Sequence, residues 1–141
     1  MNRLRFRSTM APQIVATIVL IFLICNFDLT WNVFRVTGLA ITVLASGFFL
    51  TARYQLGSSF AVRAQARQLV TRGIYSRISN PMYCFSTLMI LGAVIAYQRP
   101  IFLLIPAGLV ILQITRARIE SRVLEEAFGD AYREYRKHTW F

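Results

Sequence analysis

The sequence predicts an all-α integral membrane protein with four transmembrane helices, the last two forming a helical hairpin, followed by a cytoplasmic amphipathic helix. Three observations support this fold class. Of the 141 residues, 56% are hydrophobic, and the mean hydropathy is +0.51. A soluble domain of this size could not bury so much apolar surface. The apolar residues fall in four uncharged runs, and the basic residues fall between them.

The four uncharged runs predict the four spans. They cover residues 9–27, 36–52, 82–98 and 101–115. A transmembrane helix needs about 20 apolar residues. At a rise of about 1.5 Å per residue the last run is short for a bilayer, so we expect its helix to continue past residue 116. The break at 98–100 is too short for anything but a helical hairpin.

The positive charges predict the orientation. Of the 16 basic residues, 14 lie in the N-terminal segment, in the loop 53–80 or in the tail after residue 115. Only Arg35 and Arg99 lie in the other two connections. The positive-inside rule therefore places both termini and the large loop in the cytoplasm. The net charge of +10 fits anionic lipid headgroups better than nucleic acid, because the charges are interleaved with apolar runs.

The cysteines indicate neither a disulfide nor a metal site. Cys25 and Cys84 both lie inside apolar runs, without CxxC spacing or a second ligand nearby. Small buried thiols are the expected interpretation. The sequence predicts no bound metal.

The C-terminal segment 116–137 predicts an amphipathic helix with one anomaly. Apolar residues recur at helical spacing from Ile119 to Tyr135. Glu120 falls on this stripe, with Arg116 one turn earlier on nearly the same face. A carboxylate facing an apolar environment needs a partner. An ion pair between the two, reaching to the membrane interface, is one interpretation. A functional site is the other.

Three stretches together resemble a known family. Residues 56–60 read LGSSF, residues 69–83 read LVTRGIYSRISNPMY, and residues 120–135 read ESRVLEEAFGDAYREY. In this order they are similar to the LGxSF, LVTxGxYxxxRHPxY and EExxLxxxFGxxYxxY elements of one family of integral-membrane methyltransferases. That family contains isoprenylcysteine carboxyl methyltransferases and phospholipid methyltransferases. This chain has Ser79 and Asn80 in place of Arg-His, and Ser121 in place of the second glutamate.

The resemblance implies transfer of a methyl group from S-adenosylmethionine, and it assigns roles to particular residues. Arg116 would orient the substrate, and Tyr83 would serve both catalysis and cofactor binding. The implied cofactor-binding residues are Arg67, Gln68, Leu69, Val70, Tyr75, Asn80, Pro81, Met82, Tyr83 and Glu120.

The chemistry of these residues is compatible with that cofactor. A carboxylate suits the ammonium or the ribose hydroxyls, and tyrosine rings attract cations. Gly73 permits a tight turn, and Pro81 can start the third helix. His138 is the only histidine and lies near the end of the chain, so no convincing general base is apparent.

The acceptor implied by the resemblance is a lipophilic molecule in the membrane, either a carboxylate like that of isoprenylcysteine or a phospholipid amine. The main alternative is a non-enzymatic membrane protein that retains the fold as a lipid-binding or interaction module, which the Ser79-Asn80 departure favours. A membrane reductase with a nicotinamide cofactor is a third possibility, although no dinucleotide-binding element is visible. The sequence selects neither the acceptor nor an oligomeric state.

Overall fold

The computed structural model describes the backbone of residues 3–26, 31–56, 69 and 71–140, and the side chains from residue 14 onward except residue 23. All regular elements in these ranges are helical, as predicted. The α-helices are α1 (Arg3–Asn26), α2 (Val33–Leu56), α3 (Pro81–Tyr97), α4 (Leu104–Phe128) and α5 (Asp130–Lys137). Two short 3-10 helices, Gly73–Ser76 and Pro100–Leu103, precede α3 and α4.

Local sequence signals set several helix ends. The Asn32 side-chain oxygen accepts the backbone N–H of Arg35 at 3.0 Å, as an N-cap residue does at the start of a helix. Pro81 occupies the first turn of α3, where its missing N–H costs nothing. Gln98 ends α3 in the left-handed conformation, with φ 57°. Gly129, with φ 51°, separates α4 from α5.

Helices α2 and α3 pack closely through small residues. A Cβ atom added at Gly38 would overlap the backbone of Ala96 and Gly92, so the two backbones are in direct contact there. The Thr42 hydroxyl lies 2.9 Å from the Gly38 carbonyl and 3.3 Å from the Met89 carbonyl across the interface. Small residues and interhelical hydroxyl contacts are typical of helix association in membranes.

The outer surface of the bundle is apolar. Thr42, Ala52 and Ala96 are fully buried, whereas large side chains such as Phe22, Leu44 and Ile111 are more than half exposed. Two stretches are long and apolar enough to cross a membrane, Val33–Leu56 and Pro100–Phe128. Only 28% and 17% of their most apolar windows are buried, which does not fit core helices of a soluble protein. The apolar stretches Ile14–Asn26, within α1, and Pro81–Tyr97, which is α3, are shorter.

Two arginines are more buried in the protein than their positions in the sequence predicted. Arg35, expected in a connection, lies in the first turn of α2 and is 1% exposed. Its guanidinium donates to the carbonyls of Ile24 and Cys25 at the end of α1 and stacks on Trp31, with 4.4 Å to the ring centroid. Arg53, expected to begin the polar loop, is 2% exposed because α2 continues to Leu56.

Polar side chains join α3 to α4. Gln113 accepts a hydrogen bond from the Thr87 hydroxyl at 2.8 Å and donates to Ser86 at 3.0 Å. As expected from the short fourth run, α4 continues past residue 116 without interruption. The segment 116–137, predicted as one amphipathic helix, is therefore the second half of α4 followed by α5, with the break at Gly129.

Candidate functional site

The loop before α3 is held against the end of α2 by a glycine turn. Gly73 has φ +64°, a conformation that costs other residues energy. A Cβ at this position would overlap the side-chain amide of Gln55. The Gln55 amide oxygen accepts the backbone N–H of Ile74 at 2.8 Å. Gly73 therefore allows the contact between Gln55 and Ile74, which fixes the position of Tyr75, the residue after Ile74.

Tyr75 is buried where the loop meets α5. It is 6% exposed, and its carbonyl accepts the hydroxyl of Tyr135 at 2.7 Å. Burial raises the pKa of Tyr75 above its ordinary value, the nearby Tyr135 hydroxyl adds to the rise, and Arg53 opposes it. The phenol is therefore neutral at physiological pH.

Tyr83 and Glu120 meet across α3 and α4. The Tyr83 hydroxyl donates to Glu120 Oε1 at 2.6 Å, although the residues are 37 positions apart in sequence. A short O–H···O⁻ bond of this kind is among the stronger hydrogen bonds in proteins. The ion pair considered between Arg116 and Glu120 is not among the salt bridges of the described residues, so the partner of this carboxylate is the tyrosine.

The chain after α5 pairs with the loop beside Asn80. The Trp140 backbone N–H donates to the Arg77 carbonyl at 2.7 Å, and the Ser79 N–H donates to the Trp140 carbonyl at 3.0 Å. The Ser79 and Thr139 hydroxyls lie 2.7 Å apart. Ser79, which departs from the family pattern, thus links the loop to the tail.

An open cleft of about 460 Å³ lies between α4, α5 and the start of α3. Ligand sites in proteins are commonly about 300–1,000 Å³. The lining residues are Asn80, Ile114, Ala117, Arg118, Ser121, Arg122 and Arg136. At about 100° per residue, the α4 members share one face of the helix. Glu120 lies beside this face, toward α3, so the Tyr83–Glu120 contact and the cleft are neighbours.

The cations of the cleft have no carboxylate partner among the residues that the structure describes. Arg133 pairs with Glu125 at 2.8 Å and Asp130 at 3.3 Å, and Lys137 pairs with Glu134 at 2.8 Å. None of these residues lines the cleft. Arg136 contacts the Ser79 hydroxyl at 3.4 Å instead. The described lining of the cleft therefore has three positive charges and no acidic residue.

The comparisons with known proteins identify the family. A family model described as phospholipid methyltransferase matches residues 33–131, more than two thirds of the chain. The chain belongs to the phospholipid methyltransferase family. No curated protein and no solved structure matches it. The resemblance seen in the sequence is thereby confirmed, and with it membrane methyltransferase chemistry at the level of the family.

In this member of the phospholipid methyltransferase family, the fold brings together some of the site residues that the sequence predicted. Tyr75, Asn80, Tyr83 and Glu120 lie around the junction of the loop, α3 and α4. Pro81 is fully buried, and Leu69 and Met82 are half-buried. Arg116 is exposed and, by helical spacing, lies on roughly the opposite side of α4 from the cleft. Arg67, Gln68 and Val70 lie outside the described residues.

Sequence reasoning missed several residues of this region. Arg118, Arg122 and Arg136 were counted only as topology charges, and Gln55 was not considered. A helical projection of α4 could have placed Arg118, Ser121 and Arg122 on one face. Nothing in the sequence indicates that Thr139 and Trp140 return to Ser79, since that contact depends on the break at Gly129.

Proposed function

We propose that this chain is an integral-membrane methyltransferase that transfers a methyl group from S-adenosylmethionine to a lipophilic acceptor in the membrane. The observation that carries the proposal is the hydrogen bond of 2.6 Å between Tyr83 and Glu120. It joins two of the three motif stretches, and the bond from Tyr135 to the Tyr75 carbonyl at 2.7 Å joins them a second time. Helix packing alone does not require either contact.

The proposal includes four membrane spans near residues 9–27, 36–52, 82–98 and 101–115, with both termini in the cytoplasm. The apolar outer surface and the distribution of basic residues support it. The loop 53–80 and the helix after residue 115 would then meet at the cytoplasmic face, the compartment in which S-adenosylmethionine is made. All 141 residues would form one domain.

The residues around the junction fit the cofactor. The Glu120 carboxylate retains acceptor capacity for an ammonium or ribose hydroxyls, while Tyr83 fixes its orientation. The ring faces of Tyr75 and Tyr83 suit a sulfonium, and Asn80 offers an amide donor and acceptor beside them. Arg67, Gln68, Leu69, Val70, Pro81 and Met82 complete the proposed cofactor-binding set.

When bound, S-adenosylmethionine supplies a methyl carbon made electrophilic by the attached sulfonium. The protein's part is to align the acceptor with that carbon and to exclude water. Buried Tyr75 and the backbone pairing of the tail with the loop close one side of the junction. Arg116, which is exposed on the side of α4 away from the cleft, is kept as a proposed substrate-orienting residue.

Calorimetric titration of S-adenosylmethionine and S-adenosylhomocysteine into the detergent-purified protein tests this function. We expect saturable binding that Glu120→Ala abolishes. Glu126→Ala is the matched control, because this exposed carboxylate lies about 120° around α4 from Glu120 and does not line the cleft, and it should leave affinity unchanged. Equal affinity of Glu120→Ala and Glu126→Ala would contradict the assigned site. A folded protein that binds neither ligand would favour the non-enzymatic alternative.

A further inference from the structure

The cleft between α4 and α5 has the composition of an anion site. Arg118, Arg122 and Arg136 line it, and its other polar lining residues, Asn80 and Ser121, are neutral. On α5, Arg133 pairs with Glu125 and Asp130, and Lys137 pairs with Glu134, whereas no salt bridge of the described residues involves the three cleft arginines. Arginine is well suited to phosphate because its planar guanidinium can form two parallel hydrogen bonds.

The departures from the family pattern coincide with this cleft. Asn80 and Ser121 both line it, and Ser79 contacts Arg136 at 3.4 Å. A glutamate at position 121 would place a carboxylate between the arginines on the same helix face. Its replacement by serine leaves the positive charges unopposed. Ser79 and Asn80 are neutral where the family pattern has Arg and His, so the anion-binding character of the cleft rests on Arg118, Arg122 and Arg136 and on the absence of a carboxylate at position 121.

An apolar surface continues from the cleft along the same side of α4. At about 100° per residue, positions 104, 107, 111, 114, 118 and 122 form one stripe. The first four are apolar and the last two are the cleft arginines. Ile111 is 65% exposed and lies about 10 Å along the axis from Arg118. A ligand with an anionic headgroup and apolar chains could contact both the arginines and the apolar positions of this stripe, whereas free phosphate would contact only the arginines.

We propose that the cleft binds the headgroup phosphate of an acidic phospholipid, with the acyl chains along the exposed apolar stripe of α4. Among the residues that the structure describes, no acidic side chain lines the cleft to receive a cationic headgroup amine, so the site discriminates against zwitterionic lipids. The binding itself needs no methyl donor, although Asn80 belongs both to the cleft and to the proposed cofactor-binding set. Only its use to hold the acceptor near the Tyr83–Glu120 contact rests on the proposed function.

The test is a lipid titration of the full chain in neutral detergent, read by native mass spectrometry, without a methyl donor. The probes are phosphatidylglycerol, phosphatidylcholine and inorganic phosphate. The cleft variant is Arg118→Gln with Arg122→Gln; both side chains are exposed, so folding should be retained. The control is Arg133→Gln with Lys137→Gln, which removes the same charge from paired cations outside the cleft.

We expect phosphatidylglycerol to bind the wild type roughly thirty- to hundredfold more tightly than phosphatidylcholine, as two or three basic contacts at a membrane surface imply. The cleft variant should lose this preference and the control should keep it. If both double variants lose this preference equally, the preference comes from diffuse surface charge and not from the cleft, and the proposal is overturned. Binding of inorganic phosphate as tight as that of the lipid would overturn the lipid assignment.

A further variant separates this inference from the proposed function. Glu120→Ala should lose donor binding yet keep the lipid preference, since Glu120 does not line the cleft. Selective lipid binding without any methyl transfer would refute the proposed function alone. Methyl transfer without a lipid preference would refute the cleft assignment alone.

Discussion

Gly38→Ala should strongly destabilise the protein, because α2 and α3 have no room between their backbones at this point. The added Cβ would overlap the Ala96 backbone nitrogen and the Gly92 carbonyl oxygen. Neither atom belongs to a flexible side chain, so the helices themselves must separate. Overpacking of a tight interface costs about 1–3 kcal/mol. Separation also weakens the contact of 3.3 Å between the Thr42 hydroxyl and the Met89 carbonyl, worth about 0.6 kcal/mol.

Gly47→Ala is the matched control on the same helix. A Cβ at Gly47 meets nothing within 4 Å, so only helix propensity changes, with a gain of up to about 1 kcal/mol. Both glycines lie inside α2, so the propensity gain cancels and the two variants should differ by about 1.5–3.5 kcal/mol in the free energy of unfolding. SDS titration of the detergent-purified protein, followed by circular dichroism, measures this difference. Equal unfolding curves for the two variants would refute close packing of α2 against α3 at Gly38.

Three further outcomes follow from the structure. Arg35→Gln should lower the free energy of unfolding by about 2 kcal/mol in the same SDS titration, because the buried guanidinium donates to the last carbonyls of α1. The control Arg99→Gln, on an exposed connection, should change this free energy little. Gly73→Ala should weaken S-adenosylhomocysteine binding in calorimetry, because the methyl group displaces Gln55 and alanine disfavours the positive φ. Gly47→Ala, which meets open space and has no positive φ, should bind normally. Burial raises the pKa of Tyr135 from 10.0 to about 12, so its stabilising contribution should be complete below pH 10 and be lost as the pH rises toward 12. The free energy of unfolding, measured from about pH 9 to pH 12, should therefore fall less steeply with pH in Tyr135→Phe than in the wild type.

The elements that could be read from the sequence are those specified locally. Pro81 begins α3 and Gly73 forms a turn with positive φ, because the signals for both lie in one or two residues. The continuation of α4 past residue 116 followed from the length of the apolar run alone. The all-helical class followed from composition and charge-free runs in the same way.

The features that the sequence did not reveal depend on long-range partners. Arg35 and Arg53 are charges at the ends of apolar runs, and the pattern cannot show that one caps α1 and the other is buried. The Tyr83–Glu120 contact was indicated only through the family resemblance, since no periodicity connects residues on different helices. The arginine cleft requires α5 to fold back at Gly129, which places Arg136 opposite Arg118 and Arg122.

The most direct test of the central claim is transfer of a radiolabelled methyl group from S-adenosylmethionine into lipids, using membranes that contain the wild type or Glu120→Ala. The account predicts label in the organic phase for the wild type, suppressed by S-adenosylhomocysteine and absent for Glu120→Ala. Donor binding by a folded wild type, without label in any lipid fraction, would contradict it.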